Sequence, residues 1–475
     1  MMKCRSRRAI LCLLVLLSAP GCFHSFKPLP DGVSFAGPSR PALEPAFIAD
    51  LTYVDPKGTR KVEQGIFDEM FSIIERAERF IVVDMFLYND FQGEVREETR
   101  ALSADLTEAL ISRKSAHPEM KVVVISDPVN TIYGGVTSKH FKALEEAGVQ
   151  VVVTRLDKLR DSNPTYSTLW RILFKPFGNN QVSLLPSPFS EERVSLRSYL
   201  ALLNFKANHR KVVIADEGDG HVALITSANP HDGSSAHGNV ALTFRGAAVA
   251  DLLETEKAVV AFSGGEFPDI VIPADVAADA ATSVQVLTEG KIRKVLIDGI
   301  TSAQKGDTID VAVFYLSDRG VIKALTRAHR RGVAVRVLLD PNKDAFGYEK
   351  NGVPNRPVAA ELHGDGVPVR WCDTHGEQCH AKMLLATYAD SPSLLVLGSA
   401  NFTRRNLQDF NLETSVAVRG PDSAHVIRDS HSYFDLVWLN DEGRQFSTEY
   451  KNYKDESAIK AWKYRVIERS GMGTF

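Results

Sequence analysis

The sequence predicts an α/β fold built from two similar halves, α/β sandwiches related by a pseudo-two-fold, with a functional site at their interface. Three observations predict it. Strand-like runs recur in the same order in both halves, strand and helix signals alternate within each half, and a short His-x-Lys motif occurs once per half.

The repeated runs come first. Ile81 to Asp90 reads IVVDMFLYND and Ile309 to Asp318 reads IDVAVFYLSD, aligned without a gap. Both are rich in Val, Ile and Phe, as buried strands are. Each follows an amphipathic helical stretch, around residues 61–78 and 290–305. Next, VVVISDP (122–128) parallels VRVLLDP (335–341), and each leads through a helix to a Gly-Val turn at Gly148 or Gly366. Ordered recurrence of several elements is hard to obtain by chance, and the alternation predicts a largely parallel or mixed sheet in each half.

From these runs the chain divides into a leader at 1–21, a proline-rich linker at 22–45 and a first half at 46–265. A linker at 266–285, a second half at 286–440 and a tail at 441–475 follow. The halves differ in length at one place: 60 residues separate Val149 from His209, but 13 separate Val367 from His380. The first half therefore carries an insertion of about 47 residues, at about 157–203. In it Trp170, Phe174 and Phe177 alternate with Arg171 and Lys175, a pattern that suits a lipid headgroup boundary or a helix packed on the core.

The apolar content of 44% and charged content of 24% are those of a globular protein. Lys3, Arg5, Arg7 and Arg8 precede the apolar run Ala9 to Ser18, the layout of a secretory signal too short to span a membrane comfortably. Leu17 to Cys22 resembles a bacterial lipoprotein cleavage box, with Cys22 as the lipidated residue, although Ala19 and Pro20 depart from the usual pattern. The expected location is the bacterial cell envelope, facing the periplasm and tethered to a membrane. Loss of 1–21 removes four positive charges and no acid, so the formal net charge falls from −3 to −7. An acidic chain lacks the field that gathers nucleic acid. Cys372 and Cys379, seven apart, form a disulfide loop, or sit with His375 and His380 as metal ligands, or stay reduced; an oxidising compartment favours the first.

The chemistry lies in the second part of each repeat. His209-Arg210-Lys211 opens an apolar run ending at Asp216, followed by Ser227-Ala228-Asn229. His380-Ala381-Lys382 opens another, followed by Ser399-Ala400-Asn401. Ser227 lies 18 residues after His209, and Ser399 lies 19 after His380. Residues two apart on a strand share a face, so each His projects with its Lys, while Arg210 and Ala381 point the other way. Two imidazoles, two ammonium groups and two Ser/Asn pairs suit a phosphate diester. The cations and amides stabilise charge on the non-bridging oxygens, one imidazole attacks phosphorus, and the other protonates the leaving alkoxide. The covalent phosphohistidine is then passed to an acceptor. This set needs no metal and no cofactor.

These motifs resemble the phospholipase D superfamily, whose pattern is His-x-Lys-x4-Asp followed by Gly/Ser-Ser-x-x-Asn; the likeness covers most of residues 46–440. The run Leu203 to Lys211 is similar to the bacterial cardiolipin synthase branch. The resemblance implies a duplicated phospholipase D-type fold and a phosphatidyltransferase or phosphodiesterase acting on phospholipid. It implies supporting rather than chemical work for Asp216, whose counterpart is Thr387, so lost stability is expected there. It also implies an acid near each second motif. Glu413 fits after Asn401, whereas the aligned Ala241 is not acidic, which points to Glu413 orienting His380 as nucleophile with His209 as acid. A secreted nuclease cutting DNA or RNA diesters is the second expectation. A binding protein without activity is disfavoured by two intact His-x-Lys pairs.

Overall fold

The computed structural model describes residues 23–42, 45–92, 97, 99–177, 183, 185–187, 192–272, 280–345 and 348–473. The leader and Cys22 lie outside these residues.

The strand β1 (Arg40–Pro41) comes first. It is followed by β2 (Ala46–Val54), β3 (Arg60–Gln64), β4 (Phe80–Met85), β5 (Lys121–Ser126) and β6 (Gln150–Val153). A small hairpin, β7 (Leu185–Pro186) and β8 (Arg193–Val194), lies in the expected insertion with the helices Pro164–Leu173 and Leu196–Leu202. The strands β9 (Lys211–Glu217), β10 (Gly220–Thr226) and β11 (Asn239–Arg245) complete the first sheet. Its order is β3-β2-β11-β10-β9-β4-β5-β6.

The second half contributes β12 (Ser283–Thr288), β13 (Thr308–Val313), β14 (Ala334–Leu339) and a hairpin of β15 (Asp344–Ala345) and β16 (Tyr348–Glu349). Then come β17 (Val369–Cys372), β18 (Lys382–Thr387), β19 (Ser393–Gly398), β20 (Thr414–Gly420) and β21 (Ser447–Glu449). The second sheet runs β1-β12-β20-β19-β18-β13-β14-β17-β21. The inner order repeats that of the first sheet. In each half three strands are parallel, β4-β5-β6 and β13-β14-β17, and the rest pair antiparallel.

Alternation explains the layers. Val82, Val212 and Ile214 of the first sheet share one core with Ala312, Met383 and Leu385 of the second, so one face of each sheet packs against the other. Ile81, Val83 and Val213 face the opposite way, onto the helix Gly65–Arg76. Val311, Val337 and Leu384 likewise face away from the shared core, toward the helices Gly290–Ser302 and Arg319–Arg330. The result is a mixed α/β structure with helices outside and two sheets within.

Several expectations are corrected. Residues 61–64 belong to β3, and the helix starts at Gly65, where the Asp50 carboxylate accepts from Ile66 N at 2.9 Å. The 22–45 stretch is not a free linker, because β1 pairs with β12 of the second sheet. The strand β12 likewise starts within the expected 266–285 linker. The tail is not an appendage: β21 extends the second sheet beside β17, and Tyr464 of the helix Ala458–Ser470 is buried in the core. Among the described residues no helix is long and apolar enough to cross a membrane.

Candidate active site

Each His-x-Lys motif sits where a loop enters a central strand, β9 or β18. The register at these entries is fixed by the other half. His209 N donates to Leu412 O at 2.9 Å, and His380 N donates to Gly238 O at 2.7 Å. An aspartate just after β5 or β14, two strands along the sheet, clamps the residue before each histidine: Asp127 accepts from Asn208 N at 2.7 Å, and Asp340 accepts from Cys379 N at 2.8 Å. Burial pushes Asp127 up to about 7 and Asp340 up to about 6. These two aspartates end the repeated runs VVVISDP and VRVLLDP, a signal that sequence reasoning left unused.

The side chains then match in pairs. Lys211 Nζ donates to His209 O and Lys382 Nζ to His380 O, both at 2.7 Å. Phe86 lies 4.7 Å from the His209 ring, and Phe314 lies 5.1 Å from the His380 ring. The same phenylalanines face Lys211 and Lys382 at 5.0 and 5.4 Å. Aromatic walls of this kind keep water from the ammonium groups while their faces attract the cations.

The histidine orienters overturn one expectation. Glu413 does not meet His380. Its Oε2 lies 3.0 Å from His209 Nδ1, across the interface. His380 Nδ1 lies 3.1 Å from Asn239 Oδ1. The pairing of the last strands explains this. Ser227 N donates to Val240 O and Ser399 N to Thr414 O, both at 2.9 Å, so Asn239 and Glu413 occupy matching positions. The first-half counterpart of Glu413 is therefore Asn239, not Ala241. Ser227 Oγ donates to Asn239 Oδ1 at 3.1 Å, and Ser399 Oγ donates to Glu413 Oε2. The two serines thus hold the orienters rather than touch substrate. Asn406 Nδ2 donates to Glu413 Oε1, and Asn239 Nδ2 donates to His237 O at 2.9 Å. Fixed in this way, both acceptors require Nδ1–H on their histidines and leave each Nε2 with its lone pair.

Burial holds both imidazoles neutral in the ligand-free protein. It pulls His209 down to about 4, against the raising field of Glu413. His380 is held well below its ordinary range by burial and then by Lys382. Burial also pulls Lys211 down to about 7 and Lys382 well down, the latter helped by Lys211. An anion arriving among these groups reverses the effect, since it favours every charged form.

Both histidines line one cavity of about 460 Å³, together with Asn229 and Asn401. Asn229 accepts from Leu87 N at 3.3 Å through Oδ1, and Asn401 Oδ1 is buried with no protein partner. His231 and His237, which the sequence did not single out, line it too, with the His237 ring 5.6 Å from that of His380. The remaining walls are largely aromatic and aliphatic, including Phe91, Val129, Leu202, Phe205 and Tyr315.

Three supporting features complete the site. The Asp216 carboxylate accepts from Arg79 N at 2.9 Å and Phe80 N at 2.8 Å, tying the start of β4 to the end of β9. In the second half Thr387 Oγ1 instead lies 2.9 Å from His431 Nε2. Asp307 takes over the tie there, accepting from Gln304 N at 2.7 Å and Ala389 N at 2.9 Å. Arg210, on the inner face, binds Glu256 of the first half at 3.0 Å and Glu289 of the second at 2.9 Å. Cys372 and Cys379 are joined as a disulfide directly before His380, so their sulfurs are not metal ligands.

Residues 296–438 match a family model described as cardiolipin synthase, phospholipase D-like domain. No curated protein matches the chain in sequence. Among solved structures, phosphatidylserine synthase of Haemophilus influenzae Rd KW20 superposes with a TM-score of 0.57 at 10% identity, covering 91% of this chain and 95% of that one. Nuc of Salmonella typhimurium, a phospholipase D family member, gives a TM-score of 0.28 at 21% identity over 35% of this chain and 99% of its own. The matched region holds the second motif and is similar to a phospholipase D-like domain, and the first half repeats its strand order and its His-x-Lys pair.

Proposed function

We propose that the chain is a phosphatidyltransferase or phospholipase D acting on phospholipid through a phosphohistidine on His209. The observation that carries this is the pair of imidazoles, each with Nδ1 held, sharing one cavity and lying in the field of the buried amines of Lys211 and Lys382. Glu413 raises the basicity of His209, so His209 Nε2 attacks phosphorus. The P–O bond to the leaving alkoxide breaks, and that oxygen takes the proton from His380 Nε2, which the bound phosphate helps to charge. Lys211, Lys382 and the amides of Asn229 and Asn401 stabilise the non-bridging oxygens. An acceptor hydroxyl then gives its proton to His380 and attacks phosphorus, which frees His209. These fixed cations supply the field that a metal would supply, so activity is expected to survive EDTA.

A lipid substrate is supported by the apolar cavity walls and by exposed phenylalanines after Cys22 and in the insertion. Phe26 and Phe177 are 80% and 82% exposed. The segment that follows Cys22 is tied to the insertion by Ser25 Oγ, which donates to Asp161 O at 2.8 Å, and by Lys27 Nζ, which donates to Asp157 O at 2.9 Å. Arg171 and Lys175, read from sequence as headgroup contacts, are paired instead with Asp161 at 2.6 Å and Asp157 at 3.3 Å. In this reading the exposed apolar residues, not these cations, meet a bilayer, and Cys22 tethers the protein there on the periplasmic side.

The test supplies anionic phospholipid vesicles and single-stranded DNA separately, at matched phosphate concentration and in EDTA. Conversion of lipid that disappears in both His209→Ala and His380→Ala is expected. Rapid DNA cleavage with the lipid untouched would replace this reading with a nuclease.

A further inference from the structure

We propose that the cavity contains a second anion subsite, centred on Arg405, that holds a negatively charged group of donor or acceptor other than the reacting phosphate. The inference rests on the phospholipid reading above and goes beyond it to substrate selection.

Arg405 lines the cavity, yet the residue is only 5% exposed. Its Nη2 donates to Gly471 O at 2.9 Å, and its guanidinium lies over the Phe205 ring at 5.2 Å. Its Nε is buried and has no partner. Among the described residues no carboxylate comes within 4.0 Å of it. Arg210 shows the contrast: it is equally buried, but two glutamates pair with it. The acid whose field reaches Arg405 is Glu468, and both Glu468 oxygens are occupied, one by Ser317 Oγ at 2.7 Å and the other by Arg404 N at 2.8 Å. A buried guanidinium without a counter-ion is costly, and a bound anion relieves that cost. Burial lowers Arg405 to about 10, so it remains charged at neutral pH.

The same cavity wall carries an unusual backbone conformation. Ile132 and Tyr133 have φ of 45° and 55°, consecutive left-handed residues that are neither Gly nor Asn. Such conformations cost about 1–3 kcal/mol each and persist where the surroundings enforce them. They bring Tyr133 to the cavity, where it and Arg405 interact electrostatically. The charged side chains whose fields reach Arg405 are Glu468 and Arg404. A guanidinium fork suits a carboxylate or a phosphate.

Calorimetry with soluble headgroup diesters tests the subsite whether or not the enzyme turns lipid over. Glycerophosphoserine carries an added carboxylate, deacylated cardiolipin an added phosphate, and glycerophosphocholine no added net anion. The wild type is expected to bind one of the first two roughly 10- to 100-fold more tightly than glycerophosphocholine, the range for hydrogen bonds to a charged group. Which one it prefers identifies the anion. Arg405→Gln should abolish the preference while leaving glycerophosphocholine affinity unchanged, and Arg405→Lys should retain part of it. No preference in the wild type, which needs no variant to fold, would overturn the proposal. So would an equal loss for all three ligands in Arg405→Gln. In turnover of the matching lipids, the Gln variant should raise KM for the anion-bearing substrate and leave kcat within a few-fold. Wild-type protein that shows the binding preference but converts no lipid would refute the proposed function and leave the subsite standing.

Discussion

At His209 a carboxylate faces the ring; at His380 an amide does. In the proposed mechanism that difference of one charge selects His209 as nucleophile, because only a carboxylate stabilises the imidazolium that forms as Nε2 bonds to phosphorus. Glu413→Gln keeps an acceptor for Nδ1–H but removes the charge, and kcat should fall by roughly 10²- to 10⁴-fold with little change in melting temperature. A phosphohistidine trapped by acid quench should map to residue 209; finding it at 380 would exchange the two roles. Lys211 gives the pH signature. Burial lowers it to about 7, so its charge is lost as pH rises through 7 in the free enzyme. An alkaline limb in kcat/KM near pH 7 is expected, with the limb in kcat displaced upward because bound phosphate favours the ammonium form. A kcat/KM profile flat to pH 10 would show that this ammonium is not needed. The motif residues were legible in the sequence because type and spacing define them twice. Their orienters were not: Glu413 was read against its own half, and nothing in a linear sequence says that the start of one half's last strand abuts the other half's histidine.

The strands were legible where Val and Ile alternate or run together, and least so at their ends, where side chains rather than periodicity fix the boundary. Asp216 is such an end. It gathers the backbone donors of Glu78, Arg79 and Phe80 where the chain leaves a helix for β4. Asp216→Ala leaves these donors without their acceptor and should cost about 1–3 kcal/mol, read as a lower urea midpoint. Turnover per folded molecule should stay near normal; a loss of kcat at unchanged stability would move Asp216 from support to chemistry. The sequence shows a Thr at the matching place, 387, and implies a weakness. The structure shows the acid transferred to the facing strand as Asp307, whose oxygens bind Gln304 N and Ala389 N. A substitution that moves a function between paired strands is invisible to an alignment of each strand with its own counterpart.

Two halves of like strand order could be read from the repeats, but not how their edges are sealed. The pairings of β1 and β21 onto the second sheet join residues 40–41 to 283–284 and residues 447–449 to 370–372, and carry no periodic signal. The surface beside the insertion leads to one prediction for the whole molecule. Cys22→Ser should move the protein from the membrane fraction to the soluble fraction of the envelope, while catalysis on short-chain lipid persists; an unchanged fraction and mass would remove the tether from the account. The crossing contacts at the two histidines have a different consequence. Each half supplies the group that steers the other half's ring, so neither carries a complete reaction centre. Two copies of the first half would set Asn239 against both rings, and two copies of the second would set Glu413 against both. Symmetric assemblies of either kind would have interchangeable histidines and no preferred order of bond-making. Unlike halves on one polypeptide break that symmetry permanently, so under the proposed mechanism every catalytic cycle begins at the same ring, with the same end of the cavity reserved for the group that leaves.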